Sequence, residues 1–274
     1  MRYTKTAAHP PVVTLNHLSW SYGDQQILDD LNAHIQSGVF TAILGPNGSG
    51  KTTLLHLIMK HLTPEKHCVY LQAKDIRTCA AREIARMVAS VPQQTATGYT
   101  FSVYDMVMMG RYPHLRRFQA EGERDREVVR SALEKTETWQ LQDKLIHEIS
   151  GGELQRVVIA RAIAQEPDVL ALDEPTSHLD PRHQIAVLSL VRRLIREEGM
   201  SVLCVLHDLN AAMQYSDHVL LLDGGRIVQS GTAQEVLTAE HIETVYGFST
   251  SIISTASGRS FIVPAEEQYC EPTA

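Results

Sequence analysis

Hydrophobic positions along this chain change period several times, and each change marks an element. From Val12 to Leu28 apolar and polar residues alternate around Gly23-Asp24, which predicts antiparallel strands. "VFTAILG" (39–45) is continuously apolar and ends on glycine, the pattern of a buried strand. "KTTLLHLIMKHL" (51–62) then takes helical spacing, so strand, glycine-rich turn and helix follow one another directly. "AREIARMVASVPQQ" (81–94) predicts a helix, a short strand and a stop at Pro92. From about 97 to 165 the spacing is helical, through "VYDMVMMGRYPH" and "ERDREVVRSALEKT" with a turn at Gly110–His114, which predicts an inserted helical lobe.

Buried strands return at "DVLALDEP" (168–175) and "SVLCVLHD" (201–208), with the helix "HQIAVLSLVRRLIREEG" between them. Strand–helix–strand alternation implies a mostly parallel sheet with right-handed crossovers. "HVLLLDGGRIVQSG" (218–231) predicts a hairpin around Asp-Gly-Gly, and "TAQEVLTAEHIETVYG" (232–247) a closing helix. Residues 1–10 read as a loose leader, and 248–274 carry no readable pattern.

Composition narrows the picture. The chain is 43% hydrophobic, enough for a packed core. Acidic residues outnumber basic ones, 32 to 25, which argues against nucleic acid as the main partner while leaving room for a local basic patch. Cys68, Cys79, Cys204 and Cys270 show no metal or redox spacing and read as reduced thiols. The start lacks a signal-peptide pattern, and no run is long enough to span a membrane, so the expectation is a soluble, cytoplasmic chain.

Candidate chemistry begins with "GPNGSGKTT", which fits G-x-x-x-x-G-K-[ST] at Gly45, Gly50, Lys51 and Thr52. Glycines let backbone N–H groups curl around phosphate oxygens, and the following helix adds its positive end. Lys51 is expected to reach the β- and γ-phosphates and Thr52 to hold Mg²⁺. "VLALDEP" puts Asp173 and Glu174 at the carboxyl end of a buried strand, the edge facing a ligand crevice in a parallel sheet. Asp173 is expected to reach Mg²⁺ and Glu174 to act as general base on the attacking water. The plainer reading is a carboxylate pair that caps the next turn. His207, at the end of "SVLCVLHD", is either structural or reaches the same crevice to contact a γ-phosphate. Gln93 is either a surface glutamine or a sensor of Mg²⁺ and the lytic water.

One stretch works against its own helix. In "EISGGELQRVVIARAI" (148–163), Ser150 and Glu153 form a capping-box pattern, yet the first turn is Gly151-Gly152. Each glycine costs about 1 kcal/mol relative to Ala. Two explanations stand: a bare helix start that lets a phosphate touch its N–H groups beside the Ser150 hydroxyl, or tight packing of a neighbouring helix. A second phosphate-seeking surface in a chain that already has one suggests nucleotide shared between two subunits.

Taken in order, these residues resemble the ATPase subunit of an ATP-binding-cassette transporter over roughly 12–247. "GPNGSGKTT" matches the Walker A motif (Gly45, Pro46, Asn47, Gly48, Ser49, Gly50, Lys51, Thr52, Thr53) and "VLALDE" Walker B. "ISGGE" matches the signature (Ser150, Gly151, Gly152, Glu153), with Glu153 in place of the usual glutamine. Gln93 matches the Q-loop, "SHLD" (177–180) the D-loop, His207 the switch histidine, and Tyr22 the aromatic that stacks on adenine. The resemblance implies an α/β P-loop ATPase fold: a mostly parallel core sheet, an antiparallel β subdomain and an inserted helical subdomain. Its expected layout is a single domain over 1–274. Residues 1–95 and 166–247 would form the core with its β subdomain, 96–165 the helical part and 248–274 an extension. It also implies ATP and Mg²⁺ as cofactors and a head-to-tail homodimer that sandwiches ATP between Walker A of one copy and the signature of the other. Asp180 would lie at the dimer seam, and Lys51, Gln93, Glu174 and His207 would be the catalytic set.

A finer resemblance, in "VMMGRYPH" (107–114), "TSHLD" (176–180) and "LHDLN" (206–210), is to importers of iron-siderophores, haem and cobalamin. That implies two transmembrane permease subunits, an extracytoplasmic substrate-binding protein, and a peripheral place on the cytoplasmic face of the membrane. Met106, Met108 and Met109 then either lie near the groove for the permease or simply pack the helical lobe. "YLQAKDI" (70–76) lacks the expected Asp-Gly turn, which puts that hairpin in doubt. A soluble cassette ATPase of the iron–sulfur assembly type and an exporter subunit are the alternatives.

Overall fold

The computed structural model describes residues 11–93, 100–177, 179–256 and 258–265. The leader (1–10) and Cys270 lie outside them. The chain opens with the hairpin β1 (Pro11–Tyr22) and β2 (Gln25–Gln36), then β3 (Phe40–Leu44) and α1 (Lys51–Ile58). β4 (Val69–Leu71), β5 (Lys74–Asp75), α2 (Ala81–Met87) and β6 (Val88–Val91) follow. Three helices come next: α3 (Val103–Met108), α4 (Glu123–Lys135) and α5 (Gly151–Ala164). The chain then returns through β7 (Val169–Asp173), α6 (Pro181–Glu198), β8 (Ser201–Val205), α7 (Leu209–Tyr215), β9 (His218–Asp223) and β10 (Arg226–Gly231).

Six of these strands form one sheet in the order β10-β9-β3-β8-β7-β6, parallel except for the β9–β10 hairpin. The alternation of side chains across a strand divides the interior in two. Phe40, Ala42, Leu44, Leu170, Leu172, Val202 and Cys204 face a core shared with α3, α4, α5 and α6. Ile43, Val169, Ala171, Leu203 and Val205 face a second core with α1 and the β2-β1-β4-β5 sheet. A strand apolar on both faces therefore reads as an unbroken run in sequence.

Within the helical part, Met106 and Met108 are buried core residues, so packing accounts for them. Gly110 lies against α5 so closely that a Cβ would overlap the Arg161 carbonyl. Its neighbour Arg111 is 3% exposed and bonds Asp125 Oδ1 (3.0 Å), the Ala164 carbonyl (2.6 Å) and Glu166 Oε2 (2.8 Å). Removing one partner of such a buried pair costs about 3–5 kcal/mol, so Arg111 fastens α3, α4 and the end of α5 together.

Three expectations change. The closing helix is two helices, α8 (Ala233–Val236) and α9 (Ala239–Tyr246). Leu237 leaves helical geometry, and the Thr238 side chain accepts the His241 amide as a fresh N-cap. The unreadable tail forms a hairpin, β11 (Thr250–Ser254) with β12 (Ser260–Pro264), seated on α7. There Asn210 both donates to the Ile262 carbonyl (2.9 Å) and accepts its amide (2.8 Å). The strand expected to reach His207 stops at Val205, leaving His207 on the loop before α7. The doubted hairpin does form: β4 pairs β5 across Gln72 and Ala73, both with positive φ (46° and 64°).

Candidate functional site

The phosphate loop springs from the end of β3, with β9 and β2 on its flanks. Gly45 has φ 149°, and a Cβ there would overlap the Leu222 carbonyl of β9 and stand 2.6 Å from Ser49 Oγ. At Gly50, with φ 98°, a Cβ would overlap the Leu28 side chain and stand 3.2 Å from the Ile27 carbonyl oxygen of β2. These two glycines answer to packing as well as to backbone shape. Asn47 and Gly48 stand exposed at the rim, Pro46 and Thr53 are half-buried, and the Ser49 hydroxyl is buried without a partner.

Lys51 is buried, its ammonium donating to the carbonyls of Gly45 (2.8 Å) and Pro46 (2.9 Å). Burial lowers its pKa, while Glu174 and Asp173 pull it back up. Thr52 Oγ1 donates to Asp173 Oδ1 at 3.4 Å. Burial raises the Asp173 carboxyl, and the neighbouring Glu174 charge adds to the rise. A half-buried carboxylate pushed up beside a hydroxyl suits a divalent cation, which would supply the missing positive charge.

Three adjacent parallel strands, β6, β7 and β8, release their loops at the same edge. Gln93 leaves β6, Asp173 and Glu174 end β7, and His207 follows β8. Glu174 accepts from Gln93 Nε2 at 2.6 Å through Oε2 and pairs with His207 Nε2 at 2.5 Å through Oε1. Its backbone is left-handed, φ 48°, held by its amide to the Val205 carbonyl and by the Ser177 amide and hydroxyl on its own carbonyl. Strain of this kind costs about 1–3 kcal/mol and persists only where the surroundings over-determine it. Tyr22, about half exposed, lies edge-on to Trp20, the cross-strand partner of Leu28.

A second group forms elsewhere. The Ser150 hydroxyl accepts the Glu153 amide, while Glu153 Oε2 accepts the Ser150 amide (2.8 Å) and hydroxyl (2.7 Å). Those bonds hold the Glu153 carboxyl below its usual range. Asp180 caps α6, accepting the His183 amide and, at 2.7 Å, His183 Nδ1. Among the described residues, no hydrogen bond or ion pair joins Ser150, Gly151, Gly152, Glu153 or Asp180 to Lys51, Thr52, Asp173 or Glu174.

A family model for the ABC transporter, the ATP-binding cassette, matches residues 28–177. The chain belongs to this family. It is 40% identical over 248 residues to the ferric enterobactin transport ATP-binding protein FepC of Escherichia coli, covering 90% of this chain and 92% of that one. It is 36% identical to the iron(3+)-hydroxamate import ATP-binding protein FhuC of Bacillus subtilis over 88% and 90% of the two chains. An inward-facing ABC transporter assigned to the metal-chelate type aligns with TM-score 0.82 and 28% identity, over 94% of this chain and 98% of that one. The architecture is that of an ABC ATPase, and the chain is an ATP-binding subunit that hydrolyses ATP.

Lys51, Thr52, Asp173, Glu174, Gln93 and His207 converge on one sheet edge, whereas Ser150, Glu153 and Asp180 bond within their own neighbourhood at the starts of α5 and α6. A cleft of about 600 Å³, lined by Gln72, Arg124, Glu166 and Asp168 among others, contains none of them. His183 and Asn210 escaped the sequence reading. Asp-x-x-His at a helix start hints at the first through capping, but nothing local points to its tertiary contact.

Proposed function

We propose that this subunit powers import of a ferric siderophore, hydrolysing ATP in a compartment built by two copies of the chain. The observation that carries the hydrolytic part is the Glu174 carboxylate, held between His207 and Gln93 at the edge where the phosphate loop ends. Glu174 takes a proton from water as its oxygen attacks the γ-phosphorus, and the bond to the β–γ bridging oxygen breaks, leaving ADP and phosphate. Lys51 and the backbone N–H groups of Asn47 to Thr53 hold the phosphate tail, and Tyr22 lies against the adenine. His207 orients the γ-phosphate, and Gln93 positions the water. Thr52 and Asp173, with Gln93, would hold Mg²⁺, which supplies charge neutralisation along the phosphates when bound.

Ser150, Gly151 and Gly152 of one copy serve the nucleotide on the other, and Asp180 lies at the seam. Their separation from the phosphate loop within one chain supports this division. The import reading rests on FepC and FhuC, whose names describe transport of ferric enterobactin and import of iron(3+)-hydroxamate; it implies two permease subunits and an extracytoplasmic binding protein. None of the described helices is long and apolar enough to cross a membrane. On the import reading the subunit attaches peripherally, on the cytoplasmic face, through the permease.

The test uses Glu174→Gln. With ATP it should form a stable dimer while turning over at least about 100-fold more slowly than the parent. Parental turnover would remove Glu174 as base, and a monomer at saturating ATP would remove the shared compartment. Reconstituted with its permease, the parent's ATPase should rise with a ferric-siderophore-loaded binding protein and not with haem- or cobalamin-loaded ones.

A further inference from the structure

The adjacent glycines of the signature are glycines for different reasons. Around Gly151 a Cβ would meet nothing within 4 Å. At Gly152, which is buried, a Cβ would overlap the His183 imidazole, 2.5 Å from Cγ and 2.7 Å from Nε2. The open position is free to receive an anion; the other is already occupied by this chain's own ring.

That ring is not free to step aside. Nδ1 bonds Asp180 Oδ2 at 2.7 Å while the His183 amide bonds Oδ1 at 3.0 Å. Asp180 is held below its usual range by the His183 amide first and its ring second, so it is ionised and can only accept. Nδ1 therefore carries the proton, and the bond sets the ring's orientation. A side chain at 152 could displace the imidazole only by breaking its bond to Asp180.

We propose that His183 is a positioning residue that locks signature Gly152 and seam Asp180 into one rigid unit. Gly152 begins α5 in the inserted helical part, and Asp180 begins α6 beside the catalytic sheet, so the imidazole is a joint between the two. The proposal rests on the reading above, in which both ends act on the nucleotide of the other copy. The joint keeps a fixed spacing between the two groups that meet the opposite site. The missing side chain at Gly152 is then required by an internal partner, whereas nothing in this chain requires it at Gly151.

The experiment is a double-mutant cycle, Gly152→Ala and His183→Ala, in the Glu174→Gln background. ATP-driven dimerisation is read by light scattering, ATP binding to the monomer by a fluorescent analogue, and stability by urea denaturation. Gly152→Ala should weaken dimerisation about tenfold and His183→Ala about threefold. The double variant should return to the His183→Ala level, because the methyl now has room. Monomer ATP affinity should hold constant throughout, and the denaturation midpoint lost in Gly152→Ala should be recovered in the double variant. A double variant that dimerises as poorly as Gly152→Ala overturns the proposal, since the methyl would then be obstructing phosphate itself. If the Glu174→Gln parent fails to dimerise with ATP, the shared compartment falls. In that case additive urea midpoints would also overturn the His183 joint, while a recovered midpoint would uphold it.

Discussion

His207 Nε2 lies 2.5 Å from Glu174 Oε1, a contact made between the loops that leave two neighbouring parallel strands. Gln93 holds the other oxygen, so both oxygens of the Glu174 carboxylate are engaged. His207→Ala should lower kcat by about 10²–10³-fold with a much smaller change in KM, because the ring acts on the reacting γ-phosphate more than on ground-state binding. Steady-state ATPase kinetics decide it: a change confined to KM would make His207 a binding residue.

Asp173 predicts a pH-dependent exchange of stability for function. Its folded pKa is raised by burial and by Glu174 above the ordinary carboxylate value. Between those two values the folded chain holds more protons than the unfolded one, so stability falls as pH rises through the window. Asp173→Asn should therefore raise Tm at neutral pH. The gain should shrink as pH falls to the ordinary carboxylate range, and Mg²⁺-dependent turnover should be lost. Equal Tm at pH 7 would contradict this.

Glu153 places a carboxylate beside the hydroxyl of Ser150, at 2.7 Å. The charge suits the start of α5 but opposes an incoming phosphate. Glu153→Gln keeps the cap and removes the charge. ATP-driven dimerisation of the Glu174→Gln chain should strengthen about threefold at low salt, with a small loss of Tm worth about 0.3–1 kcal/mol. Unchanged or weaker dimerisation would show that the carboxylate does not face the nucleotide.

The β4–β5 turn carries avoidable strain, because a tight two-residue connection favours positive φ at both central residues and neither Gln72 nor Ala73 suits it. Gln72→Asn with Ala73→Gly should add about 1 kcal/mol, raising Tm by about 2–4 °C without altering ATP turnover. A differential-scanning comparison checks it.

Much of this site could be read before the fold. β3, α1 and the Asp173 strand are legible because each is a continuous apolar run or a clean helical period abutting residues with one main use. The tail hairpin was not: in "STSIISTASGRSFIVP" polar residues interrupt both strands, and Ile262 is the one buried hydrophobic among its described residues, so no periodic face stands out. The break at Leu237 is hidden for another reason, since the Thr238 cap falls inside a pattern that satisfies helical spacing on either side. The Gly152–His183 contact joins residues on separate elements, and two neighbouring glycines look alike until a three-dimensional neighbour distinguishes them.

The carboxamide of Asn210 gives and takes one bond at Ile262, which is the rung a further β-strand would supply. The β12 edge of the terminal hairpin is thus closed by a side chain of α7, and Gln214 adds a bond to the Ser260 carbonyl at 2.6 Å. With Ile253 and Phe261 exposed nearby, this stopper denies one side of a short, sticky ribbon to strands of other molecules.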